Sequence, residues 1–426
     1  MKEIINKKSN IIKLSIIILF LSTTGIYSQI DKNGGSLYSL YGVGELNYSA
    51  GSRTDGMGIM GISLYGDYSN SINPAAWTKI QSTIFTTKYT FENIRSTDGI
   101  NSSKRTYGNF GGFSFSVPLN KGNGWIFDLG INNYSIVNYD SKFNGSIQNE
   151  AYTQSYSGNG GLSRLNLGFS YVIFRYFSFG AQFNYVFGNI SRSLNIDFSN
   201  TQLFDTKNVI ENTISGFYFN TGLIFHGFGK MFESKKFNNI TLGIMVSTPS
   251  DFNSDITGRF NRSIDNTDSI SISEGKLNIP LAFGVGISNE FNDRLIIAAD
   301  IYFQQWDKYK NYGVHPAEIK NSMKAGIGFE YTSSKRLEDP FLSRLSFRLG
   351  ASYTADYLKL NNININTLGF SAGLSMPIGN YNALDLYFRY NIKGQDSNGL
   401  IKDEVFRFGA SVKIGELWFL KPSDDF

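Results

Sequence analysis

The run Gly56-Met57-Gly58-Ile59-Met60-Gly61 has the GxGxxG spacing with which a backbone can wrap a pyrophosphate. That chemistry needs a strand before the first glycine, a helix opening at the last, and an acidic side chain about 20 residues on to hold a ribose. Here Ile62-Ser63-Leu64-Tyr65 follows, and no βαβ alternation surrounds it. The three glycines therefore read as places where backbone packs closely against a neighbour. The two histidines come next. A hydrolase would need serine and an orienting carboxylate or carboxamide beside one of them. His226 precedes Gly227-Phe228 with no serine two residues on, and His315 stands in a polar loop before Pro316. Asp265 and Asp268 lack the spacing of a calcium loop and read as solvated carboxylates. Cysteine is absent, which removes thiol nucleophiles, disulfides and thiolate metal sites together. The chain reads as a non-enzyme, with no catalytic residue, metal or cofactor.

The charged residues with a definite position are those in alternating segments. In Leu295 to Trp306, the side chains of Leu295, Ile297, Ala299, Ile301 and Phe303 share one face while Asp300 and Gln304 share the other. Phe347, Leu349, Ala351 and Tyr353 oppose Arg344, Ser346, Arg348 and Ser352. Leu384, Leu386, Phe388 and Tyr390 oppose Asp385 and Arg389, and Phe406, Phe408 and Ala410 oppose Arg407, Ser411 and Lys413. A soluble sandwich alternates in the same way, but its strands run about five or six residues. Many segments here exceed ten, the length a tilted membrane-crossing strand requires. A charge facing lipid costs roughly 2–4 kcal/mol at the midplane. Asp300, Glu330, Arg344, Arg348, Asp385, Arg389, Arg407 and Lys413 are therefore expected in the lumen, pairing with one another and with whatever fills it.

The pattern predicts an all-β transmembrane antiparallel β-barrel of about 14 strands, starting near residues 82, 107, 124, 161, 177, 212, 238, 269, 294, 321, 342, 366, 383 and 404. Joins after the second, fourth, eighth and twelfth strands are tight. Those after the third, fifth, seventh, ninth and thirteenth read as mostly longer and polar, the asymmetry of short periplasmic turns and long outer loops. The eleventh join is short and the sixth, His226 to Lys236, is long, against that rule. The last strand runs to Trp418 and Phe419. In the third strand, Trp125, Phe127, Leu129 and Ile131 define a lipid face that Asn133 and Ser135 then continue with polar groups. This predicts a bend and a lateral opening at Asn133 and Ser135.

Composition fits a barrel. Aromatics reach 15%, with 36 Phe and 25 Tyr, and barrels place such residues on the lipid face and in interfacial girdles. Glycine numbers 44 against 8 prolines, as expected where prolines would remove ladder bonds. A net charge of +4 from 39 basic and 35 acidic residues is too balanced to suggest nucleic acid. Residues 1–28 read as a signal peptide: Lys2, Lys7, Lys8 and Lys13, then apolar Leu14 to Leu21, then Ser28 before Gln29. Residues 29–80 form a Gly-, Ser- and Tyr-rich plug or hatch, and residues 81–426 the barrel. The expected location is the outer membrane of a Gram-negative bacterium, with its lipids as partners.

Three stretches resemble the FadL family of outer-membrane transporters, most nearly its distant Bacteroidetes-type members. They are Asn73-Pro74-Ala75-Ala76-Trp77, similar to the family's NPA turn before the first strand; Pro280 to Trp306, with Asp300-Ile-Tyr-Phe-Gln-Gln-Trp306; and Arg344 to Phe419. The resemblance implies a 14-stranded barrel with an N-terminal hatch, hinged at Asn73 and Pro74, that passes fatty-acid-like or hydrocarbon solutes passively inward. Two other readings stand beside it. One is a non-transporting barrel serving as a structural or secretion-associated scaffold, and the other is a general porin.

Overall fold

The computed structural model describes residues 35–49, 51–200, 202–262 and 269–418, all within the compact unit Lys32–Phe426. Residues 1–28, read above as a signal peptide, and Asp265, Asp268 and Phe419 lie outside them. The described chain closes an antiparallel barrel of fourteen strands. These are β1 Thr83–Thr97, β2 Ser102–Asn120, β3 Trp125–Ile147, β4 Glu150–Phe174, β5 Phe177–Phe198 and β6 Thr206–Phe225. β7 runs as Ile240–Ser247 and Ser250–Arg262, and β8 as Ser269–Ile279 and Ala282–Phe291. β9 Leu295–Gln304, β10 Ser322–Thr332, β11 Ser346–Leu360, β12 Ile363–Ile378, β13 Asn382–Gly394 and β14 Lys402–Glu416 complete the wall. β7 and β8 break at Pro249 and Pro280, where the missing N–H cannot serve the ladder.

Alternation sorts the wall into two faces. Outward positions carry exposed Phe169 on β4, Phe217 and Phe219 on β6, Ile301 on β9, Leu349 on β11 and Phe408 on β14. Inward positions carry Asp128, Asp300, Glu330, Arg348 and Arg389, each under a tenth exposed. No helix among the described residues is long and apolar enough to cross a membrane; the strands do the crossing.

The expected loop asymmetry holds at the join after β9, residues 305–321, and takes another form after β3 to β6. The join after β3 is only Gln148-Asn149 and that after β11 only Asn361-Asn362, both in left-handed backbone. The polar residues that read as long loops are instead in strand: β3 to β6 run 20 to 25 residues, whereas β9 and β10 run 10 and 11. A crossing needs only about 9–11. Four strands thus continue well past the apolar band at the end away from Thr83 and Glu416. Polar Ser, Asn and Thr make good strand there because main-chain ladders hold them, not an apolar face.

Candidate functional site

Residues 36–49 and 51–80 lie against the inner face of the wall. They contain a 3-10 turn Leu37–Leu40, a two-residue strand Glu45–Leu46, helix α1 Ser52–Gly56, and a 3-10 turn Pro74–Lys79 leading into β1. Met57, Ile59, Met60, Ile62 and Trp77 are almost wholly buried. Inward glycines make that approach feasible. A Cβ at Gly350 would strike Met57 O, at Gly243 Ile62 O, and at Gly180 the Pro74 backbone.

The GxGxxG run does cradle an anion, and the anion is a side chain of the wall. The Asp300 carboxylate accepts from Met60 N at 2.9 Å, Gly61 N at 2.7 Å and Ile62 N at 3.4 Å. Successive backbone N–H groups form a concave donor set that suits a carboxylate as well as a phosphate. Gly56 packs on Gly373, and Gly58 on Gly350 and Ala351.

Ion pairs fasten the same segment. Arg53 donates from both Nε and Nη2 to Glu330, at 2.8 and 2.6 Å. Arg348 donates to Glu330 and to Asp385, each at 2.7 Å. Lys88 meets Asp55 at 3.0 Å and Lys413 meets Asp67 at 3.2 Å, while Arg407, paired with Glu92 of the wall at 2.6 Å, reaches Glu45 of the segment at 3.8 Å. Arg389 donates instead to Ser352 and Asn391. Arg344 departs from the expected lumen position. It ends the 3-10 turn Phe341–Arg344 before β11, with its guanidinium 6.0 Å from the Phe341 ring. Its strand begins at Ser346, four residues after the start expected near 342, so the side chain sits at the rim.

At the other end of the segment, Asn73 is fully buried. Its Nδ2 donates to Ile62 O at 2.6 Å, and its Oδ1 accepts from Ala75 N at 3.0 Å, capping the turn that Pro74 opens. Trp77 Nε1 donates to Asn70 O at 2.9 Å. Nearby, His226 lies between Tyr65 and Tyr176, at ring distances of 6.1 and 6.3 Å. Burial, and then the Lys79 charge, hold its imidazole below the ordinary histidine range.

The wall has a seam beside Asn133. The β2–β3 ladder runs from Asn120↔Trp125 to Gly112↔Asn132 and ends there, although both strands continue. β2 bends at Gly112, whose φ of +107° and closeness to Ile131 O admit no side chain. β3 carries a bulge between Asn133 and Ser135, with Tyr134 the extra residue. One extra residue shifts the alternation by one. Ser135 therefore does not continue the lipid face; it turns inward and is 2% exposed. Asn133 spans the seam, donating to Asn109 Oδ1 at 3.1 Å and to Phe110 O at 2.8 Å. Beyond it, residues 35–47 take the vacated edge. Glu45 and Leu46 pair with Ile136 and Ser135, Asn47 N donates to Tyr134 O at 3.0 Å, and Arg105 on β2 reaches Gly35 O at 2.9 Å. This replacement strand was not legible in the sequence, because Glu45-Leu46 is too short to alternate.

Two environments meet behind the seam. Tyr38 and Val43 join Val137, Leu162, Trp306, Tyr357 and Leu358 in one large apolar cluster, with Leu37, Leu40 and Leu46 packed on it. Next to it is a cavity of about 120 Å³ whose lining includes Asp55, Lys88, Glu92, Lys324, Arg389 and Arg407.

A family model described as BamG matches residues 10–423. No curated protein sequence matches the chain. Among solved structures, a FadL homologue of Pseudomonas aeruginosa is similar over 87% of this chain and 99% of its own, with a TM-score of 0.61 at 13% identity. The CymD monoaromatic hydrocarbon channel covers the same shares at 0.57 and 15%. The Ralstonia pickettii toluene transporter TbuX, at 0.56 and 14%, matches over 86% of this chain and 98% of its own. At such identities the likeness is one of fold, that of a FadL-like outer-membrane barrel.

Proposed function

The chain belongs to the BamG family, and on that premise we propose that it is an outer-membrane channel for passive uptake of hydrophobic small molecules, with a lateral route through the seam. The observation that carries this is the end of the β2–β3 ladder at Gly112 and Asn132, with residues 35–47 seated in the gap against an apolar cluster. Displacing residues 36–47 would bare Val137, Leu162 and Tyr357 as a surface for an apolar solute, next to a break in the wall. Asn73-Pro74 would be the fixed pivot, because Asn73 is hydrogen-bonded on both sides. Neighbours of this fold are named for hydrocarbons and toluene, which supports the solute class. The signal peptide at residues 1–28 would deliver the chain to the membrane.

The test compares uptake of labelled fatty acid, alkane and toluene in cells with and without the gene. The chain has no cysteine, so Leu46→Cys with Ser135→Cys gives a clean lock across the bridge they form. Uptake should fall when the lock is oxidised and return on reduction. Equal uptake with and without the gene, across the whole panel, would sink the transport reading.

A second reading has its own support. The plug is held by buried ion pairs, and the cavity behind the seam is lined by charge, whereas small-molecule pockets are mostly apolar and larger, about 300–1,000 Å³. Those features suit a non-transporting barrel that serves as a structural or secretion-associated scaffold. A stoichiometric protein partner co-purifying with the barrel, together with null uptake, would establish it.

A further inference from the structure

The join between β6 and β7, residues 226–239, is one of two long joins at its end of the barrel, beside residues 333–345 between β10 and β11, and its residues form a continuous surface with the lipid-facing wall. Phe177 and Phe225 stack on that wall at 4.7 Å, Phe225 meets Phe228 at 4.8 Å, and Phe228, Phe232 and Phe237 continue the series at 6.3 and 5.3 Å. The chain forms a short helix, α2 Phe228–Met231, and then a 3-10 turn Lys235–Phe237. Met231 is 67% exposed and Phe232 56%. Loops that face water seldom expose apolar area of this kind in one run. Lys230, Lys235 and Lys236 are exposed among these side chains, with Glu233 the one acid in the run, and none of the four is in an ion pair among the described residues.

We infer that residues 228–237 are an interfacial foot that binds anionic phospholipid head groups in the leaflet at the end of the barrel where β1 begins. Its aromatic side chains extend the wall's contact with acyl chains, and the lysines reach the phosphates. The continuity of the phenylalanines with Phe225 selects lipid over a water-borne partner. The excess of lysine selects an anionic head group over a zwitterionic one. A lysine at the head-group level contributes about a fivefold factor in affinity, and an apolar anchor beside it adds to retention.

The test uses the full barrel, delipidated in detergent and titrated with dioleoylphosphatidylglycerol or dioleoylphosphatidylethanolamine, reading the midpoint of its heat-modifiable gel shift. Wild-type protein should respond to phosphatidylglycerol at lower concentration than to phosphatidylethanolamine. The triple variant K230Q/K235Q/K236Q should need at least about fivefold more phosphatidylglycerol with its phosphatidylethanolamine response unchanged. Phe232→Ser, with all lysines kept, should weaken the response to both lipids. An unchanged phosphatidylglycerol response in the triple variant would overturn the inference. So would the loss of a co-purifying periplasmic protein from that variant while its lipid response stayed intact, since the foot would then be a protein-docking site.

Discussion

Glu330 is the residue on which the plug's hold converges, because it accepts from Arg53 of the plug and Arg348 of the wall at once. Glu330→Gln would leave two buried guanidinium groups without that charge, although Arg348 keeps Asp385. Breaking a buried pair by removing one partner costs roughly 3–5 kcal/mol. Arg53→Met should cost less, since Glu330 keeps Arg348. The heat midpoint of the barrel should therefore fall more for Glu330→Gln than for Arg53→Met; the reverse order would mean that Arg53 carries the attachment. Protease sensitivity near residues 49–51 should rise in parallel. A different residue sets a pH response. His226 has a lowered pKa in the folded chain, so its contribution is intact above the ordinary histidine value of about 6.5 and is lost as pH falls through the lowered one. Cleavage of the β6–β7 join by an added protease should quicken across that acidic range in wild-type protein, and His226→Asn should flatten the change. At this scale the sequence showed which faces carried charge, since alternation places Asp300, Arg348 and Asp385 inside. It could not show their partners, because Arg53 and Glu330 are separated by most of the barrel.

At the scale of elements, strand number and order were legible because lipid demands an unbroken apolar face of minimum length, and each strand from β7 to β14 displays one. Starts were less legible where strands outrun the membrane. β4 begins at Glu150 and not near 161, because the added residues are polar on both faces and have no period to read. The bulge in β3 lies between these cases. Asn133 and Ser135 betrayed an irregularity, but only the pairing shows that Tyr134 is the inserted residue and that Ser135 turns inward. Deleting Tyr134 would join Asn133 to Ser135 while keeping Ser135, Val137 and Tyr139 on the inner face, since only the extra residue is removed. The deletion costs the Tyr134 contact with Tyr218, at 6.3 Å. The barrel should still form, with the β2 edge from residue 104 to 111 better protected from amide exchange and uptake reduced. Unchanged exchange along that edge would separate the bulge from the seam.

At the scale of the whole molecule, what matters is whether the wall or the plug limits passage. The wall alone would enclose a lumen studded with Asp300, Glu330, Arg348, Asp385 and Arg389, groups that water solvates readily and that a dry pore would not tolerate. The plug satisfies Asp300 and Glu330 directly and fills the space between strands with buried Met57, Met60 and Ile62. Removing residues 35–72 while keeping Asn73 and the turn Pro74–Lys79 would leave the entry into β1 capped, and water would take the plug's place at those charges. In planar bilayers the intact protein should show no large steady conductance, and the shortened one should show a large, steady one. Cation and anion permeability should differ little, because inward acids and bases are nearly matched. Heat-modifiable migration of the shortened protein would verify that its barrel has closed before the current is read. A closed, shortened barrel without conductance would mean that the wall itself seals the lumen, and the plug could then no longer be the gate. A large conductance in the intact protein would make it a general porin.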